Sequence, residues 1–120
     1  MSRDIPIRPL DAEAFRAFGD VLECRGAPDR MINQGLCARF HDQARLTFSG
    51  GRAGLSLFQA EVRSLPLTLD MVERHPDGSQ AFVSMTGAPF RVVVAPDEAG
   101  RPGPPLAFKT APGQAVNYHA

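Results

Sequence analysis

The stretch "ERHPDGSQAF", residues 73–82, gathers reactive side chains at a spacing that chemistry can use. Glu73 and His75 are two apart, so on an extended strand both project to the same face. A carboxylate and an imidazole side by side make half of a metal site or an acid/base pair. Asp77 and Gly78 then supply a turn, Gln80 opens the next run, and Phe82 follows on the same face. The expected hairpin therefore brings Glu73, His75 and Gln80 together. Histidine is scarce, with 3 in 120 residues, and it is the side chain that titrates near neutral pH. On spacing alone, though, a histidine beside Pro76 is more often a surface turn residue than a ligand.

The elements that must position these residues are short. "IPIRPL" (5–10) reads as a strand. "DAEAFRAFGD" (11–20) reads as one helix, with Asp11 as N-cap and Ala14, Phe15 and Phe18 as its apolar stripe, stopped at Gly19. "VLEC" (21–24) is a further strand, and "RGAPDRMINQG" (25–35) a polar loop. "CARFHDQARLTF" (37–48) is partly extended, its Arg39, His41 and Asp42 reading equally as a charged strand edge or a subunit contact. "GLSLFQAEV" (54–62) and "PLTLDMVER" (66–74) alternate apolar and polar as strands do. "FRVVVAP" (90–96) suggests a strand covered on both faces, "DEAGRPGPP" (97–105) a loop too rich in proline to pair, and "LAFKTA" and "QAVNYHA" two closing strands. Phe40, Phe58, Phe82 and Phe90 are expected in the core. Short strands between Gly- and Pro-bearing turns, with one N-terminal helix, argue for an all-β sandwich or barrel.

Bulk composition narrows the function classes. A chain of 120 residues with 43% hydrophobic content builds one core, so residues 1–120 are expected to be a single domain. The 13 basic and 13 acidic residues cancel and are interspersed, which argues against nucleic acid or an anionic membrane as partner. No apolar run approaches the roughly 20 residues of a membrane span. Cys24 and Cys37 share no close spacing and read as free thiols, which suits a cytoplasmic protein.

Several segments together carry a family resemblance. Glu73-Arg74-His75, then Gln80, then Gly87 resembles the first motif of the cupin superfamily, with glutamate in place of its first histidine and glutamine in place of its glutamate. Within that superfamily the chain is similar to the bacterial ureidoglycolate lyases, through "FRAFGDVLE", "INQG", "ARFHD", "ERHPDGSQAF", "VVVAP" and "VNYH". The resemblance implies a cupin-type double-stranded β-barrel, or jelly roll, and a homodimer. In the family the chain continues past "NYH" through further strands, and the histidine of the second cupin motif would lie beyond Ala120. The expectation is thus a barrel interrupted on its C-terminal side.

The resemblance also implies a reaction, the splitting of ureidoglycolate into glyoxylate and urea in allantoin degradation. That elimination needs a cation for the substrate carboxylate, a base for its hydroxyl proton and an acid for the departing nitrogen. Arg74 or Arg39 can clamp the carboxylate in bidentate fashion. Strand alternation would turn Arg74 away from Glu73 and His75, which favours Arg39. His75 is the natural proton carrier, Glu73 orients it or takes the proton itself, and His119 or Tyr118 serves the leaving nitrogen. Asn33 and Gln80 are amide partners for the urea group. If a divalent metal is used, nickel being the family's first suggestion, then Glu73, His75 and Gln80 become its ligands together with the downstream histidine beyond Ala120, and otherwise no cofactor is needed.

Two other readings compete. The same barrel can act on another small hydroxy or ureido acid, since fold does not fix substrate. An interrupted cupin can instead be a non-catalytic module that binds a small carboxylic acid.

Overall fold

In the computed structural model, which describes residues 4–120, Ile7–Pro9 forms β1 and Ala12–Phe15 forms α1. Asp11 caps α1 as its residue type dictates, in extended backbone, its carboxylate accepting from the Ala14 N–H at 3.0 Å. Nine further strands follow: β2 (Gly19–Leu22), β3 (Arg30–Ile32), β4 (Cys37–Arg39), β5 (Gln80–Phe82), β6 (Arg91–Val94), β7 (Asp97–Glu98), β8 (Arg101–Pro102), β9 (Leu106–Lys109) and β10 (Ala115–Tyr118). The expected all-β, cupin-like class with one short N-terminal helix is what is observed.

The strands assort into two three-stranded sheets and two ribbons. One sheet has the order β1-β9-β6, with β1 parallel to β9 and β6 antiparallel to it. The other has the order β2-β10-β5, antiparallel throughout. The alternation of β6 and β9 turns Val92, Val94, Leu106 and Phe108 inward, and Val116 of β10 meets them from the second sheet. Phe15 from α1 is fully buried between the two sheets, with its ring edge-on to Phe108 at 5.6 Å and 6.0 Å from Tyr118. A buried aromatic of this kind dominates the energetics of a small core.

Gly19 lets β2 lie against β10. A Cβ at this position would overlap the carbonyl oxygen of Asn117 and come within 3.1 Å of the Phe15 ring. Only a residue without a side chain permits that approach.

The differences from sequence expectation have physical reasons. Residues 54–62 and 66–74 form no strand, and no helix or strand occurs between β4 and β5. Alternation supplies a face, but a strand also needs a neighbour to accept its N–H groups, and here none is present among the described residues. Phe58 is consequently 82% exposed rather than core, and Phe82, at the sheet edge, is 40% exposed. Phe40 is half-buried outside the core cluster, whereas Phe90 packs on it as expected. In the opposite direction, the supposed loops pair. Residues 30–32 and 37–39 make the β3–β4 hairpin, where Asn33, Gln34 and Gly35 all take positive φ. The Pro-rich 97–105 stretch folds its first part as the β7–β8 ribbon, because Asp97 accepts from the Gly100 N–H at 2.7 Å and closes the turn. Val92 and Val94 are buried but Val93 is only half-covered, so β6 has one fully covered face rather than two.

Candidate active site

A cleft of about 880 Å³ opens between the end of the β2-β10-β5 sheet, the β7–β8 ribbon and the irregular chain before β5. That volume suits a small-molecule site. Glu73, Arg74, His75, Gln80, Tyr118 and His119 all line it.

Each is brought there by a traceable contact. Gln80 and Tyr118 are cross-strand partners in the β5–β10 ladder, and Tyr118 packs edge-on to Phe82 at 5.4 Å. His119 follows β10, its main-chain N–H donating to the Phe18 carbonyl at 2.9 Å. The turn behind His75 is pinned by residues before the irregular stretch: Ser49 N–H donates to the Asp77 carbonyl at 2.7 Å, and Ser79 N–H to the Thr47 carbonyl at 2.9 Å. The expected hairpin between residues 73–75 and β5 does not form, because β5 pairs with β10 instead. Glu73 and His75 still converge, Nε2 to Oε2 at 3.5 Å, both largely solvent-accessible.

Arg74 also lines the cleft, contrary to the alternation argument, since this segment is not a strand and the period-two rule has nothing to act on. Its Nε donates to Asp97 Oδ2 at 2.8 Å. Asn33 and Arg39 are not brought to the cleft. Asn33 sits exposed in the β3–β4 turn, and the Arg39 guanidinium meets His41 Nδ1 at 2.7 Å on the exposed side of that hairpin. Sequence reasoning missed Arg101 and Asp97, which the β7–β8 ribbon places on the cleft wall. The Asp-x-x-Gly turn signal was present at residues 97–100, but the neighbouring prolines masked it. Among the described residues Arg101 makes no ion pair, so it is the cleft arginine left free to meet an anion.

A second group, also missed, lies behind His119. His119 Nε2 stands 3.1 Å from Asp20 Oδ1 on β2, both side chains about three-quarters covered. Asp20 Oδ2 accepts from the Arg45 N–H at 2.8 Å and from Asn117 Nδ2 at 3.0 Å, and Asn117 is wholly buried. Burial alone would raise the Asp20 carboxyl, but the hydrogen bonds from Arg45 and Asn117, with the His119 imidazole close by, outweigh it and hold it below the ordinary 3.8. Burial pushes the Tyr118 hydroxyl up to about 12, so at neutral pH it donates a hydrogen bond and does not act as a base. A groove of about 480 Å³ on the other side of Asp20, along residues 42–46, contains none of the expected site residues.

For a divalent ion the cleft offers Glu73 and His75 as strong donors and Gln80 as a neutral amide. Among the described residues no three His, Cys, Asp or Glu side chains come together as a metal-sized group. Glu73 and His75 would hold such an ion, with Gln80 as a weaker neutral ligand, a set short of the three strong protein ligands of a typical zinc site.

The chain's similarity to known proteins bears on its chemistry. Residues 2–120 match the sequence model of a family described as ureidoglycolate lyase. A Rhodobacter capsulatus protein named ureidoglycolate lyase is 60% identical over 112 residues, covering 92% of this chain and 70% of the relative. Ureidoglycolate lyase 2 of Rhizobium meliloti is 56% identical over 115 residues, covering 94% and 71%. The ureidoglycolate lyase of a Chelativorans species is 51% identical over 118 residues, covering 97% and 72%.

Proposed function

The chain belongs to the ureidoglycolate lyase family, and from that membership we propose that its cleavage of ureidoglycolate to glyoxylate and urea takes place in the cleft shared by His75 and His119. The protein is a lyase of allantoin degradation. The observation that carries the assignment of the site is the convergence, in one cleft, of two imidazoles, a carboxylate, a free guanidinium and a neutral phenol.

Arg101, with Arg74 beside it, takes the substrate carboxylate. His75, oriented by Glu73, removes the hydroxyl proton. As the C=O of glyoxylate forms, the bond from that carbon to the urea nitrogen breaks, and the nitrogen leaves with the electron pair. It receives a proton from His119, which completes urea. Gln80 and Tyr118 hydrogen-bond the urea group, and the phenol contributes as a donor, not as the acid. No step needs a metal, because deprotonation and protonation are each assigned to a side chain in the cleft. The test is release of urea and glyoxylate from racemic ureidoglycolate, with chelator and with added nickel, by this chain and by His75→Ala. Loss of release in the variant supports the site. Undiminished release places the chemistry elsewhere, and release that chelator abolishes and nickel restores overturns the metal-free scheme.

We assign the working form to a cytoplasmic homodimer. Supporting this are the unpaired Cys24 and Cys37 and a row of exposed apolar side chains, Leu55, Leu57, Phe58, Val62, Leu67 and Met71. Such a row can meet the roughly 800 Å² per partner that a stable interface buries. Light scattering on the purified chain tests it, and a monomer at micromolar concentration would refute it. Among the described residues no helix is long and apolar enough to cross a membrane.

A further inference from the structure

We propose that Asp20 is a positioning residue for this lyase: it holds His119 with Nε2 committed to its carboxylate, and so leaves Nδ1 as the nitrogen that hands a proton to the leaving urea. The proposal rests on the acid role given to His119 above and adds to it the residue through which that role is set.

The geometry is that of a locked carboxylate. Oδ2 is held by two donors, the Arg45 main-chain N–H at 2.8 Å and Asn117 Nδ2 at 3.0 Å. Asn117 in turn is fixed by full burial and by a second bond from Nδ2 to the Arg45 carbonyl at 3.0 Å. Oδ1 is thereby aimed at His119 Nε2, 3.1 Å away. That nitrogen is inaccessible to water and off the line of a full hydrogen bond, as catalytic contacts often are before substrate binds. His119 lines the cleft, and Nδ1, unlike Nε2, is not a buried atom without a partner, which leaves it as the ring nitrogen available to substrate. The main chain at His119 is anchored separately, to Phe18.

The register makes the pairing unavoidable. Asp20 stands opposite Asn117 in the β2–β10 ladder, and His119, two residues on, shares the face of Asn117. The close approach of the two strands at Gly19 brings the three side chains within reach of one another. A carboxylate held deprotonated beside an imidazole does two things. It selects the tautomer with the proton on Nε2, and it stabilises the imidazolium that must exist before the proton is given up. The remaining charged groups near the pair are those of the residue 42–46 segment, where Asp42 and Arg45 stand, and the cleft residues Glu73, Arg74, His75, Asp97 and Arg101.

The test combines kinetics with spectroscopy. Asp20→Asn keeps the shape of the side chain and is expected to lower kcat about 10²-fold with KM changed less than about twofold. If Asp20 acts through His119, adding Asp20→Asn to His119→Ala costs nothing further, whereas a purely structural role makes the two losses add. Independently of activity, ¹⁵N NMR of the imidazoles is expected to show His119 as the Nε2–H tautomer in the wild type and as a mixture in Asp20→Asn. An unchanged tautomer, or additive losses, overturns the proposal. If His119→Ala retains full activity, the acid assignment falls and this proposal with it. If His119→Ala is inactive while Asp20→Asn is unimpaired, only the pairing falls.

Discussion

Strand β10 and residues 54–62 carry the same kind of pattern and meet opposite fates. In β10, Val116 is fully buried and Asn117, facing the other way, is fully buried too, because β2 and β5 flank it on both sides. In the 54–62 stretch Leu55, Leu57 and Val62 are exposed at 102%, 84% and 97%, and no ladder forms. Alternation thus specifies which side chains would be covered, while cover itself comes from neighbouring strands. The cost shows in the molecule's size. Its radius of gyration is 16.1 Å, against about 14 Å for a compact chain of this length.

The largest expected effect sharpens that contrast. Phe15→Ala should lose about 3–5 kcal/mol of stability in urea denaturation, and Phe58→Ala under about 0.5 kcal/mol, because only the first leaves a cavity. Equal losses would mean that residues 54–62 are packed in solution as tightly as the core. Next, Gly19→Ala should cost on the order of 1–3 kcal/mol, by forcing β2 away from Asn117. The same change at Gly54, whose Cβ would meet nothing within 4 Å, should be nearly silent in the same assay.

A smaller effect addresses the exposed row directly. Leu55→Lys with Leu57→Lys should weaken self-association by about 1–2 kcal/mol, read by analytical ultracentrifugation, while the urea midpoint of the fold stays put. A shifted midpoint with unchanged association would assign these residues to the core and not to an interface. The smallest effect concerns pH. The Asp20 carboxyl is held below its ordinary 3.8 in the folded state, so its contribution is complete above that value and lost as pH falls through the lower, folded value. Asp20→Asn should therefore flatten the acid limb of stability below about pH 4 and leave the pH dependence near neutral unchanged. An acid limb of unchanged slope would show that Asp20 is not held in this way.

The candidate site was legible in part. Glu73, His75 and Gln80 could be grouped from one quoted stretch, since a turn of known chemistry separates them by a few residues. His119 and Tyr118 could be added only by resemblance, because nothing local ties the end of the chain to residue 75. Asn33 and Arg39 were drawn in by the same route, yet the β3–β4 hairpin carries them elsewhere. Arg74 was argued away by a strand rule that the irregular backbone suspends, and Arg101 was hidden in a proline-rich run.

What the amino-acid sequence determined by itself was local: the Asp11 cap and α1, the glycine and aspartate turns, the extended runs of β6, β9 and β10, and the all-β class. These follow from backbone preference and side-chain period, which act over a few residues. Which strands found partners, which arginine stayed free in the cleft, and how Asp20 came to stand behind His119 were decided by the tertiary structure. The bond from Asn117 to Asp20 closes a separation of 97 residues, and no short-range preference reaches that far. Only the close approach of β2 to β10, made possible at Gly19, brings those groups together.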